Sequence, residues 1–219
     1  MPGLQSKGGM DSQPALTTHS IPRAGWLSRL VRSALVRYHK TKGWRSYNDT
    51  GGNYAKAVIL AAPHTTNWDF IHYLGATGDL GIFPRFMGKT SLFKWPMTNF
   101  MLEMGGVPVD RSQRRDMVTQ MVDHFKAEDN FLLTIAPEGT REGATKWKTG
   151  FYQIAMKADV PIICGVINYR NKTVHLRGPI WPTGNYRDDL QRILDLYADS
   201  EGKNPDHTIV GKAEVDAFL

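Results

Sequence analysis

The chain has 219 residues, 41% hydrophobic and 22% charged, with a formal net charge of +6; this suits one soluble globular domain with a substantial core. No apolar run approaches the roughly 20 residues of a membrane-spanning helix, the start lacks an apolar signal core, which argues against secretion, and the single cysteine, Cys164, rules out an intrachain disulfide. A basic surface favours anions such as acidic lipid headgroups and phosphorylated cofactors, whereas the absence of zinc-finger spacing, an aromatic RNA-binding cluster or a helix-turn-helix pattern disfavours nucleic acid.

Residues 1–20, rich in Gly, Ser, Thr and Gln, are predicted to be a mobile leader, leaving 21–219 as a single domain. Within 21–45, Trp26, Leu27, Leu30, Val31, Ala34, Leu35 and Tyr38 recur at helical steps, while Arg23, Arg29, Arg32 and Arg37 fall elsewhere on the wheel. Such a helix suits a membrane interface, and it equally suits packing on a sheet. A strand is expected at 57–62, then a turn and a helix reaching about Gly78. A second strand is expected at 81–88, with helical pieces broken by Pro96 up to Met104. A short strand at 107–111 precedes an amphipathic helix marked by Met117, Met121, Val122 and Phe125. A buried strand at 131–136 and a helix at 150–158 follow. Strands at 161–169 and 173–180 form a hairpin around Asn171 and Lys172, and the last helix carries Leu190, Ile193, Leu194 and Tyr197. Cys164 falls in an apolar run and reads as a buried, inert thiol. The alternation predicts an α/β fold: a mixed, largely parallel sheet sandwiched by helices, with an N-terminal amphipathic helix.

The turn after the first strand, residues 61–70, carries His64 and Asp69. On one continuous helix these would lie roughly 140° apart. They meet only if His64 precedes the helix and Asp69 sits in its first turn, with Thr66 or Asn67 as the cap. A carboxylate against an imidazole fixes its tautomer and stabilises the imidazolium; a capped helix with an incidental histidine is the alternative reading. Two more strands end in polar turns. Gly105-Gly106-Val107-Pro108-Val109-Asp110-Arg111 joins an acid to a base, and Ala136-Pro137-Glu138-Gly139-Thr140-Arg141 joins a carboxylate, a glycine and an arginine. Arginine binds phosphate bidentately and glycine lets the backbone approach an anion, although either turn also fits a plain ion pair. Three such turns at strand ends suggest one shared site.

His64-(four residues)-Asp69, Gly106-Val-Pro-Val-Asp-Arg111, Pro137-Glu-Gly-Thr-Arg141 and Val160-Pro-Ile-Ile-Cys-Gly-Val166, in this order, resemble the four blocks of the glycerolipid acyltransferase family, which includes the 1-acylglycerol-3-phosphate acyltransferases. Lys148-Thr-Gly150 resembles the family's Lys-x-Gly, and Lys89 stands where members often carry a basic residue. The resemblance spans residues 57–180. It implies acyl transfer from acyl-CoA or acyl carrier protein to the hydroxyl or amine of a lysolipid-type acceptor, with no cofactor and no metal. His64 would be the general base and Asp69 its orienting partner. Arg111, Glu138, Gly139, Thr140, Arg141, Lys89 and Lys148 would bind substrate, and an anionic membrane surface on the cytoplasmic side would be the setting. The apolar block at Val160 would line the acyl or donor site. Pro63, Thr66, Trp68 and Ala136 depart from the commoner pattern and leave the acceptor open among glycerophospholipid, ornithine-type and other lipids. Rival readings are a metal hydrolase using His64, Asp69 and His72, a thioesterase, and a non-catalytic basic lipid-binding module.

Overall fold

The computed structural model describes residues 25–109, 114–142, 146–208, 210 and 215; the expected leader and Arg111 lie outside them. Among the described residues seven strands form one sheet: β1 (Arg45–Asn48), β2 (Lys56–Ala62), β3 (Arg85–Lys89), β4 (Gly106–Val109), β5 (Phe131–Ile135), β6 (Ile162–Asn168) and β7 (Thr173–Ile180). The helices are α1 (Trp26–Thr41), α2 (Trp68–Asp79), α3 (Thr98–Glu103), α4 (Arg114–Ala127), α5 (Gly150–Ala158) and α6 (Tyr186–Asp195), with a 3-10 turn at Thr90–Phe93. The strand order is β1-β7-β6-β2-β5-β3-β4. Strands β6, β2, β5, β3 and β4 run parallel; β7 runs against β6, and β1 runs parallel to β7. The expected α/β fold with its mixed, largely parallel sheet is therefore observed.

Central strands covered on both faces read as continuous apolar runs, and every residue of β5 is buried. Successive side chains alternate between faces. Val58, Leu60 and Ala62 join the larger core under α4, α5 and α6, whereas Ala57 and Ile59 join Leu132, Ile163 and Leu176 in the smaller one. Cys164 is fully buried, and burial pushes its thiol up to about 12, which keeps it inert.

Two expectations need correction, and β1 adds a strand that the sequence pattern does not mark. β3 starts at Arg85, after Pro84, instead of at Gly81. Tyr197 lies beyond the end of α6, fully buried, with its hydroxyl donating to the Leu60 carbonyl at 2.7 Å. The expected N-terminal helix is present, but its inward face differs from the apolar stripe. The fully buried positions of α1 are Ser28 and His39, while Trp26 and Leu30 are 73% and 59% exposed. Glycines explain how α1 approaches α2 so closely: a Cβ on Gly75 would stand 2.6 Å from the His39 Cβ, and one on Gly78 would meet Val36. No described helix is long and apolar enough to cross a membrane.

Because the five parallel strands share a direction, the segments after β2, β3, β5 and β6 all emerge at one edge of the sheet, where ligands of such folds gather.

Candidate active site

His64 precedes α2 and Asp69 is its second residue, as the spacing required. Of the two expected caps, the Asn67 side chain makes no capping bond, whereas Thr66 Oγ1 accepts the Trp68 N–H at 3.4 Å. Asp69 turns back over the loop. Its Oδ2 accepts the N–H groups of Thr65 at 2.7 Å and Thr66 at 2.9 Å and lies 3.1 Å from His64 Nδ1. Its Oδ1 accepts the Tyr169 hydroxyl at 2.7 Å. An ionised carboxylate only accepts, so Nδ1 carries the proton and Nε2 keeps a lone pair. Asp69 is buried while the His64 side chain is 24% exposed. The pair thus has an anchored carboxylate and a reachable ring.

The backbone of His64 is held separately, its N–H donating to Glu138 Oε2 at 2.8 Å. Glu138 is buried, and its Oε1 has no hydrogen-bond partner among the described residues. Burial pushes this carboxyl up to about 7, opposed by the His64 N–H. Glu138 therefore grips the His64 turn from behind and does not line the cleft. Gly139 takes φ +68°, a left-handed conformation that suits glycine. A Cβ there would also meet the Lys148 side chain, 2.7 Å from its Cε. Lys148 thus lies across Gly139, with its N–H on the Pro137 carbonyl at 2.9 Å, outside the cleft lining.

The cleft itself encloses about 910 Å³, at the upper end of the roughly 300–1,000 Å³ usual for ligand sites. His64, Asp69, Lys89, Gly139, Thr140 and Arg141 border it, and Ile59, Phe70, Leu80, Ile167 and Leu176 give it an apolar interior between α2 and the sheet. Lys89 and Arg141 are exposed. One space thus brings together an imidazole, two cations and an apolar chamber. Of the apolar block after Val160, Gly165 and, just beyond it, Ile167 reach the lining. His72, the third residue of the metal reading, points its Nδ1 at His39 Nδ1, 3.2 Å away. Among the described residues no group of three or more His, Cys, Asp or Glu side chains comes together as a metal site would require.

Sequence reading missed Tyr169 and the segment after α6. Asn204 donates from its N–H to Thr65 Oγ1 at 3.3 Å and from Nδ2 to the Thr65 carbonyl at 2.9 Å. His207 Nδ1 lies 3.0 Å from the Arg141 carbonyl. Trp68 stacks on Tyr38 and lies under Lys203 Nζ at 4.9 Å. No motif marks these residues; for Tyr169 the available signal was its place just past a strand's carboxyl end.

In comparisons with known proteins, residues 21–168 match the family described as Acyltransferase. Two curated relatives, the 1-acyl-sn-glycerol-3-phosphate acyltransferases of Salmonella typhimurium and Salmonella typhi, are each 28% identical to the chain over 131 residues, covering 57% of this chain and 51% of the relative. The chain thus spans about half the length of the curated relatives it matches. The crystal structure of the 1-acyl-sn-glycerophosphate (LPA) acyltransferase PlsC from Thermotoga maritima matches with a TM-score of 0.51 at 16% identity, covering 78% of this chain and 76% of that one; the likeness is one of fold.

Proposed function

This chain belongs to the acyltransferase family, and from that premise we propose that it transfers an acyl chain from acyl-CoA or acyl carrier protein to the hydroxyl of a lysolipid-type acceptor. The carrying observation is that the His64–Asp69 pair borders the same cleft as an apolar chamber and the cations Lys89 and Arg141. The chamber suits the acyl chain, and the cations suit a phosphate on acceptor or donor. Nε2 of His64 takes the acceptor's hydroxyl proton as its oxygen attacks the thioester carbonyl. The tetrahedral oxyanion collapses, the carbon–sulfur bond breaks, and the departing thiolate receives the proton that His64 holds. Asp69 keeps the ring in its tautomer and balances the transient imidazolium. A positioned base typically contributes about 10²–10⁴-fold.

The membrane is the proposed setting, on its cytoplasmic face, where anionic lipids attract basic segments. In support, Trp26, Leu27 and Leu30 of α1 are exposed. The helix is tied to α3 through Ser28 on the Glu103 carboxylate and Arg32 Nη2 on the Glu103 carbonyl at 3.2 Å. The segment leading into α3 exposes Leu92, Trp95 and Met97, and Leu92 also borders the cleft.

The test is mass spectrometry of products after incubation with acyl-CoA and a panel of lysolipids and amines. An acylated lysolipid is the expected product. Free fatty acid alone would make the protein a thioesterase, and vesicle binding without turnover would make it a lipid-binding module.

A further inference from the structure

We infer that Tyr169 is a positioning residue of the reacting centre, its hydroxyl being the fixed donor that holds Asp69 Oδ1 so that Oδ2 stays on His64. The inference rests on reading His64 and Asp69 as that centre. Three of the donors at this carboxylate, the N–H groups of Thr65 and Thr66 and the His64 ring, come from the turn itself and crowd on Oδ2. Tyr169 alone engages Oδ1 among the bonds found there, at 2.7 Å, across a hundred residues of sequence. Without it, a buried carboxylate oxygen would lose its donor, and the side chain would gain freedom to rotate away from the imidazole.

The hydroxyl is held in place from several sides. The Tyr169 ring meets Trp44 edge-on at 4.9 Å and His72 edge-on at 5.7 Å, and those two rings stack on each other at 3.9 Å. Its N–H donates to the Glu201 carbonyl at 2.8 Å, which pins the end of β6 to the segment after α6. Trp44 precedes β1 and His72 lies on α2, so separate parts of the chain converge to fix one phenol. Burial and the Asp69 carboxylate together raise the phenol's proton affinity, so it remains a donor at every working pH. The family match ends at residue 168, one position before it.

The experiment is Tyr169→Phe in the full chain, which removes the oxygen and keeps the ring. Proton NMR reads the hydrogen-bonded His64 Nδ1–H signal, assigned by its loss in His64→Ala. Steady-state kinetics read kcat and KM. Tyr38→Phe is the control, a neighbouring phenol with no bond to Asp69. The other charged or titratable groups facing the centre, Glu138, His72 and Lys203, are left in place. In Tyr169→Phe the His64 signal should weaken and exchange faster, and kcat should fall about 10–100-fold, the weight of a hydrogen bond to a charged group. KM should be unchanged and Tyr38→Phe should match wild type. Should Tyr169→Phe not fold by circular dichroism, a fluorinated tyrosine at position 169, a stronger donor of nearly the same shape, must shift the His64 signal. An unchanged signal, or a loss shared by Tyr38→Phe, overturns the inference. The NMR arm needs no turnover, so a protein inactive on thioesters would fail the proposed function while leaving this inference decided.

Discussion

His64 is gripped at two points, its ring by Asp69 and its backbone by Glu138, and the two carboxyls answer to different physics. Asp69 accepts several hydrogen bonds that suit an anion. Glu138 accepts one on Oε2 and is otherwise walled in, so it holds its proton up to about pH 7 against an ordinary value of 4.5. Below pH 4.5 it is neutral folded and unfolded alike. Between 4.5 and 7 only the unfolded chain ionises, so stability falls as pH rises, and above 7 the full penalty persists. Glu138→Gln keeps an acceptor for the His64 N–H and removes the titration. Melts at pH 5 and pH 8 should show the variant gaining on wild type at pH 8, by an amount on the order of 3 kcal/mol; equal behaviour at both would mean that the buried acid is already ionised. Arg141 differs again, being exposed at the cleft. Arg141→Ala is expected to raise KM for a phosphorylated substrate about tenfold while barely affecting a phosphate-free analogue. Equal effects on both would make it a purely structural residue.

At the scale of elements, the turns at His64 and Glu138 were legible because each packs its polar groups into a few consecutive residues, and periodicity marked α4; the Asp110–Arg111 turn lies outside the described residues. What spacing could not encode is which face of α1 turns inward. The apolar stripe suited a membrane and a sheet equally; its Trp26, Leu27 and Leu30 are exposed, while Ser28, Arg32 and His39 meet the protein because each finds a partner there: Glu103 for the first two and His72 for the third. Tyr169 was illegible for a similar reason. It reaches Asp69 only because β6 lies beside β2, a neighbour relation set by the sheet. The outward stripe carries a prediction. Trp26→Asp with Leu30→Asp touches exposed side chains, so circular dichroism should stay unchanged, while co-sedimentation with anionic vesicles should be lost. Wild-type binding should also weaken with salt, as expected when each basic residue near the surface contributes about 1 kcal/mol within a Debye length. A double variant that still sediments with vesicles would remove α1 from the docking surface.

Across the whole molecule, the cleft lies under α2, and α2 is held in turn by α1 through His39 and His72. Burial lowers both imidazoles from 6.5 to about 4, so the folded pair stays neutral where the unfolded chain takes up protons. Stability is complete above pH 6.5 and is lost progressively as pH falls towards 4, the opposite sign to Glu138 over an overlapping range. His72→Asn should therefore lower the melting temperature at pH 7.5 yet flatten its fall between pH 6.5 and 4.5; an unaltered slope would show that this pair does not set the acid sensitivity. The central claim is more local than this, and one measurement reaches it directly: acceptor-dependent thiol release from acyl-CoA by wild type and by His64→Ala, with folding checked by circular dichroism. His64 is partly exposed in its turn, so the variant should fold normally and lose about 10²–10⁴-fold in rate. A folded His64→Ala protein that keeps more than about a tenth of the wild-type rate, well short of what removing a general base takes away, would contradict the account.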